Sequence, residues 1–135
     1  MNDWPTWFAI AMGGGAGALL RGLIFRCVEH VSPTDGGHLW ARYGAARATL
    51  IVNVFGSGLL GFLVGGQWGR MAETRDPWQV FWLTGICGAL TTFSTLCADV
   101  VALARAGQPI HGTGILIANI VLGLSALSLG LALAS

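Results

Sequence analysis

Neutral hydrogen-bond donors are concentrated in an apolar stretch of this chain, between Gly85 and Leu96. Hydroxyl and carboxamide groups can replace the water shell of a small anion without binding it so tightly that it cannot leave. An aromatic ring has a positive edge that can also face an anion. The residues that offer such groups predict an anion pathway, although they do not name the ion: Asn53, Thr91, Thr92, Phe93, Ser94, Thr95 and Asn119.

Gly85 and Gly88 loosen the backbone of the same stretch. Irregular backbone at membrane depth is tolerated only where it is buried in protein or lines a polar cavity or ion site. A break at Gly88 would free backbone carbonyls, which are the hard oxygen ligands that a small cation prefers. We therefore expect an anion pathway beside a structural cation.

Three polar residues in apolar segments, Asn53, Arg21 and Asp99, each have two interpretations. Asn53 either bonds two helices together or meets a substrate, because a carboxamide in hydrocarbon needs partners. Arg21 either faces a cavity or a partner, or reaches water from the end of its helix. Asp99 lies late in its span, so a solvated carboxylate at the interface explains it better than a proton relay does.

The composition is that of a membrane protein. The chain has 135 residues, of which 54% are hydrophobic and only 10% charged, whereas soluble domains carry about 25% charged residues. A net charge of +1 without a basic stripe argues against nucleic acid. The chain has no nucleophile–histidine spacing, no paired carboxylates within a span and no metal-binding motif, so we predict that it is not an enzyme.

Four apolar runs predict transmembrane helices at residues 4–28, 48–67, 79–104 and 112–134, because about 20 apolar residues cross a bilayer. The predicted fold class is an all-α membrane protein, a single four-helix domain over residues 1–135 whose third helix is broken at mid-membrane. Residues 29–47 are predicted to be a long polar connection with room for a short interfacial helix. The N-terminus has no basic region before its first apolar run, so we expect that run to remain as a span.

The charge bias across the membrane is weak. Four spans place both termini on one side, and the arginines near span ends divide two against four. Such a chain is expected to insert both ways, and two inverted copies would form a symmetric pore. The two arginines are Arg70 and Arg75, and the four are Arg26, Arg42, Arg47 and Arg105.

Three motifs, in order along the chain, resemble those of the CrcB/Fluc family of fluoride channels, small bacterial membrane proteins that export fluoride. Residues 13–21 resemble Gly-Gly-x-x-Gly-Ala-x-x-Arg of the first helix, and residues 48–56 resemble the second-helix motif that ends in Val-Asn-x-x-Gly. Residues 85–96 resemble Gly-x-Cys-Gly-Gly-x-Thr-Thr-Phe-Ser-Thr-Phe of the third helix, which is the most specific of the three.

The resemblance implies an antiparallel, dual-topology homodimer with two pores in the bacterial inner (plasma) membrane. It also implies one central sodium ion that is not transported, held by the backbone carbonyls of Gly88 and Thr91 from each subunit. By the same resemblance, Arg21 would lie near a pore entrance. The residues that would line the fluoride route are Asn53, Phe93, Ser94 and Thr95. Fluoride enters acidified cells as neutral HF and ionises inside, so a passive anion channel suffices to export it and lower its toxicity.

The chain departs from the family pattern at three places. Leu96 stands in place of the usual second phenylalanine, and Gly22 in place of a common tyrosine. In the fourth span a tyrosine and a serine are expected, and the chain has Ile115 and Asn119, of which only Asn119 supplies donors. The alternatives to a homomeric channel are a degenerate subunit of a heteromeric fluoride channel and a small proton-coupled cation exporter that uses Asp99.

Overall fold

The structure, a computed structural model, describes residues 3–31, 37–66 and 76–135, and all regular secondary structure in those residues is helical. Its third helix, α3, covers residues 77–90 and changes pitch, because Phe81–Cys87 is π-helical between α-helical turns at Pro77–Val80 and Gly88–Leu90. The other helices are α1 (Trp4–Val31), α2 (Gly37–Gly65), α4 (Phe93–Arg105) and α5 (Pro109–Ala134).

Four helical segments are long and apolar enough to cross a membrane: Trp4–Val31, Ala41–Gly65, Pro77–Arg105 and Pro109–Ala134. Few of their side chains are buried within the chain, and Leu90, Leu103 and Val52 are among the fully buried ones. Many large apolar side chains are exposed instead, which is the surface that a bilayer or another subunit covers. The architecture agrees with the predicted all-α membrane fold.

The predicted polar connection at residues 29–47 is mostly helical. Helix α1 continues to Val31 and α2 already begins at Gly37. Hydropathy marks where a helix leaves hydrocarbon, and a helix can continue beyond that point through good helix formers such as Ala41 and Ala45. Residues 32–36 of that connection and the arginines at 70 and 75 lie outside the described residues.

Local sequence fixes several helix ends. Asp76 accepts a hydrogen bond from the Trp78 amide at 3.2 Å and caps α3, and Pro77 follows at the first helical position. Pro109 likewise occupies the first helical position of α5, where no side chain of the described residues caps the helix. Between α4 and α5, Gly107 has a φ of 78°, a left-handed conformation that favours glycine at a helix C-terminus.

Helices α1 and α3 run parallel and in backbone contact. A Cβ on Gly13 would collide with the Phe81 carbonyl oxygen, and a Cβ on Gly17 would lie 2.6 Å from the Ile86 oxygen. Residue numbers therefore increase in the same direction along the two contacting helices, as they do in a parallel pair. Gly13 and Gly17 therefore allow α1 to approach α3 closely.

Helices α2 and α5 are also parallel and keep one register over most of their length. Asn53 contacts Asn119, 66 residues later. The same offset places Gly61 against Leu127 and Gly65 against Leu131, and a Cβ on Gly61 would collide with the Leu127 carbonyl oxygen. This glycine-lined seam allows α2 and α5 to approach closely.

Candidate functional site

The helix that crosses the membrane third is interrupted at Thr91 and Thr92. Both residues are extended, with φ and ψ of −81° and 147° at Thr91 and of −150° and 112° at Thr92. Gly88, where the sequence predicts the break, is helical with φ −65° and ψ −36°. Glycine permits a break but does not require one, and here the interruption lies where side chains supply alternative partners for the backbone.

Asn53 on α2 supplies those partners. Its Oδ1 accepts a hydrogen bond from the Thr92 amide at 2.7 Å, and its Nδ2 donates to the Thr92 carbonyl at 3.3 Å. The same Nδ2 donates to Oδ1 of Asn119 on α5 at 2.9 Å. One carboxamide thus joins α2, the interruption and α5, and both of its hydrogens are used.

The interruption frees the carbonyl of Gly88 from its helical donor. In an unbroken α-helix the Thr92 amide would donate to that carbonyl, and here it donates to Asn53. The amide and hydroxyl of Thr91 both donate to the Cys87 carbonyl, at 3.1 and 3.0 Å. Gly88 is exposed, and a Cβ on it would meet nothing within 4 Å. Its carbonyl, beside the extended Thr91, fits the oxygen ligand that a small cation prefers.

Three hydroxyls form a cluster at the start of α4. Thr92 Oγ1 caps the helix by accepting from the Thr95 amide at 3.2 Å. It lies 2.9 Å from Thr95 Oγ1 and 3.2 Å from Ser94 Oγ. Three hydroxyls carry three hydrogens and these two contacts use two of them, so one remains to donate to another group.

A cavity of about 290 Å³ opens beside this cluster. Phe93 lies at its wall with 73% of its surface exposed, whereas Leu96 is almost fully buried. The cavity brings together the predicted residues Asn53, Phe93 and Asn119, and Ser94 and Thr95 follow in the same helical turn as Phe93. Its lining is Asn53, Ser57, Leu60, Thr91, Thr92, Phe93, Leu96, Asn119 and Ile120.

The two asparagines are bonded within the chain rather than open to a ligand. Asn119 is 6% exposed, and its Nδ2 donates to the Ile115 carbonyl at 3.0 Å while its Oδ1 accepts from Asn53. For Asn53 the structure therefore shows the first of the two interpretations, a bond between helices. Donor capacity beside the cavity comes mainly from the hydroxyl cluster, of which Thr92 lines the cavity and Ser94 and Thr95 do not.

Arg21 is not among the residues that line this cavity. It lies on α1 one turn beyond Gly17, which contacts Ala89 of α3, so it is close to the level of the interruption. Its side chain is half-buried and makes no hydrogen bond or ion pair with any residue that the structure describes.

Asp99 is half-buried and hydrogen-bonded to a neighbouring helix, and its interpretation as a solvated interfacial carboxylate stays a prediction. The hydroxyl of Thr49, which is fully buried, donates to Asp99 Oδ2 at 2.6 Å. Sequence reasoning missed Thr49 as a partner. The sequence offered one indication of this role. Thr49 lies one turn before Asn53, so both side chains are on the face of α2 that is directed toward α4.

Comparison with known proteins adds evidence independent of the geometry. The family model described as "CrcB-like protein, Camphor Resistance (CrcB)" matches residues 8–131. The chain is 36% identical over 113 residues to a protein of Proteus mirabilis, covering 83% of this chain and 82% of that protein. It is 38% identical over 128 residues to one from Methanopyrus kandleri, covering 93% and 86%. Both relatives are named "Fluoride-specific ion channel FluC".

Proposed function

This chain belongs to the CrcB-like family, and on that basis we propose that it is a passive, fluoride-selective ion channel that lets fluoride leave the cytoplasm. The membership confirms the family resemblance seen in the three motifs. The relatives bear ion-channel names, which agrees with the prediction that the chain is not an enzyme. The bacterial inner membrane is the location that this function implies.

The observation that carries the proposal is the hydroxyl cluster at the interruption. One of its hydrogens is left for a ligand, and Phe93 exposes its ring in the same turn. A small anion that leaves water must exchange its hydration shell for donors that are already oriented. Thr95 would supply the free hydroxyl hydrogen, Ser94 would lie beside it, and the positive edge of Phe93 would complete the contact.

Asn53 has a positioning role in this proposal. Its bonds to the amide and the carbonyl of Thr92 hold this residue extended, and the hydroxyl cluster begins there. The bond to Asn119 fixes α5 against the same point. The channel residues are then Phe93, Ser94 and Thr95, with Asn53 and Asn119 forming the supporting wall and Arg21 proposed near an entrance.

We further propose that the carbonyls of Gly88 and Thr91 hold a structural sodium ion. The freed Gly88 carbonyl and its open surroundings support this assignment. A bound sodium ion would neutralise carbonyl dipoles that have no helical donor. Two carbonyls are too few for a complete shell, so a second copy would supply the rest.

The proposed assembly is an antiparallel homodimer. Its support is the surface around the interruption, where Gly88, Phe93, Ser94 and Cys97 are all exposed in the single chain. Hydroxyls and a free carbonyl on a lipid-facing surface would be costly, whereas a second copy would cover them. An inverted copy would create two equivalent routes.

Fluoride efflux from liposomes that contain only this purified chain tests the proposed function. A fluoride electrode records the efflux, and chloride is measured under the same gradient. We expect efflux of fluoride without chloride, and we expect Phe93→Ile to slow it. Phe55→Ile is the matched control, since Phe55 is also exposed but lies outside the cavity. Equal efflux of both ions would contradict selectivity.

A heteromeric channel is the second candidate, and Leu96 is the observation that favours it. This residue presents a buried aliphatic wall where the family motif has a second aromatic ring. This alternative would be established if the well-folded protein alone gave no fluoride efflux, and efflux appeared when a second four-span chain was co-expressed. The cation-exporter hypothesis has less support, because Asp99 is bonded to Thr49 and the relatives have channel names.

A further inference from the structure

A second, larger cavity of about 610 Å³ lies between the N-terminal parts of α2 and α5. Its lining combines apolar side chains with two that carry basic groups. The residues are Tyr43, Arg47, Ile110, His111, Gly114 and Ile115. The rings of Tyr43 and His111 meet edge to face at 5.4 Å and join the two helices there.

This cavity lies where the two spans enter the membrane. The predicted apolar runs begin at residues 48 and 112, so Arg47 and His111 each lie one residue before a span, at the predicted membrane surface. A long basic side chain at that depth reaches the headgroup layer. The cavity is therefore at the level where lipid phosphates meet acyl chains.

The cavity also lies on a different face of α2 from the proposed fluoride route. Arg47 precedes Thr49 by two residues, roughly 200° around the helix. Thr49 and Asn53 face α4 and the interruption. Arg47 consequently points away from the third span, toward the surroundings of the α2–α5 pair.

Arg47 differs from its neighbour Arg42 in having no bonding partner among the described residues. Nearby Arg42 donates through Nη1 to the Ala102 carbonyl at 2.7 Å and so caps the end of α4. Arg47 makes no hydrogen bond or ion pair with the described residues, and its side chain is exposed. It is a guanidinium available to an anion beside an apolar groove.

We propose that this cavity binds an anionic phospholipid. The lipid phosphate pairs with the Arg47 guanidinium, which is suited to bidentate contact with phosphate oxygens. An acyl chain follows the apolar wall of Ile110 and Ile115 over the space at Gly114. The charge of Arg47, its depth and its apolar neighbours favour a lipid over a soluble anion or a second copy.

Lipid retention tests the charge contact. The full chain is purified from nanodiscs of mixed phosphatidylglycerol and phosphatidylcholine, and retained lipids are counted by native mass spectrometry. We expect selective retention of phosphatidylglycerol, reduced about fivefold by Arg47→Gln. Arg26→Gln is the matched control, because it removes the same charge from an exposed position near the end of α1. We expect it to change retention less than twofold.

A second variant tests the groove without changing any charge. A Cβ on Gly114 would meet nothing within 4 Å, so Gly114→Leu is expected to fold and to fill the cavity. We expect it to reduce phosphatidylglycerol retention as Arg47→Gln does. Gly22→Leu on α1, which is equally open, serves as its control.

Three results would overturn the proposal. Equal effects of Arg47→Gln and Arg26→Gln would mean that only net charge matters. Displacement of the lipid by inorganic phosphate at equal concentration would indicate a soluble anion site. A change in the dimer fraction of Arg47→Gln in pure phosphatidylcholine would indicate an interface between copies of the chain. Because fluoride flux is not the readout, failure here leaves the proposed channel function intact.

Discussion

Asn53 makes three hydrogen bonds, two of them to the backbone of Thr92 and one to Asn119 of another helix. Replacing it by alanine leaves the Thr92 amide, the Thr92 carbonyl and Asn119 Oδ1 without this partner. Hydrogen bonds within membrane proteins average about 0.6 kcal/mol each, so we expect Asn53→Ala to cost about 2 kcal/mol of unfolding free energy.

Equilibrium unfolding in mixed detergent micelles measures this cost. Ser57→Ala is the matched control, because Ser57 lines the same cavity one turn away and makes no hydrogen bond among the described residues. A loss for Asn53→Ala no larger than that for Ser57→Ala would show that the carboxamide does not hold the interruption.

Thr95 is expected to act through its hydroxyl rather than its shape. Thr95→Val keeps the branched side chain and removes the hydrogen that the cluster has to spare. A hydrogen bond to a charged group contributes about 1.5–3 kcal/mol, so we expect fluoride efflux to fall at least tenfold in liposomes. Thr95→Ser retains the hydroxyl and is expected to stay within threefold of the wild type. Equal efflux from both variants would show that the Thr95 hydroxyl does not contribute to the fluoride route.

Residue types were sufficient to predict which side chains gather at the site, but not which hydrogens they use. Asn53, Phe93 and Asn119 do line one cavity. Whether Asn53 offers its amide to an ion depends on the nearest carbonyl in three dimensions, which spacing along the chain does not give. The bond from Thr49 to Asp99 was missed for the same reason.

The seam between α2 and α5 depends more strongly on glycine at position 61 than at position 58. A Cβ on Gly61 would collide with the Leu127 carbonyl oxygen, whereas a Cβ on Gly58 would have ordinary contact at 3.7 Å. We expect Gly61→Ala to force the helices apart and to cost about 2 kcal/mol of unfolding free energy. Gly58→Ala, in the same helix, should cost less than 0.5 kcal/mol. Similar unfolding midpoints for the two variants would contradict this packing.

Hydropathy predicted the four long apolar helices because the bilayer requires such segments. It did not predict that α2 begins at Gly37, since that first part needs no apolar sequence. The position of the interruption was also missed. Glycine suggested Gly88, while capping by Thr92 and bonding by Asn53 place the extended residues at Thr91 and Thr92.

In the proposed dimer, the second copy is predicted to cover the exposed side chain of Phe93. Phe93→Ala should weaken association of the proposed dimer at least tenfold, because an aromatic side chain at an interface loses its packing. Phe55→Ala removes an equally large exposed ring from α2 and should leave association unchanged. Sedimentation or mass photometry over a detergent dilution series distinguishes the two. A stable dimer in Phe93→Ala would place the interface elsewhere.

The assembly could be anticipated only through the family resemblance. Composition and charge indicate a membrane protein with weak orientation bias, and neither specifies which faces meet. The single chain shows the exposed carbonyl and hydroxyls that a partner would cover, but the partner's position depends on shape complementarity between copies.

The parallel seam of α2 and α5 has a consequence for biosynthesis. It extends from Tyr43 and His111 to Gly65 and Leu131, roughly 33 Å along the helices. Helix α5 follows α2 in the chain, so α2 leaves the ribosome and enters the membrane before its partner has been synthesised. A prematurely terminated chain would present a bare row of glycines to the lipid.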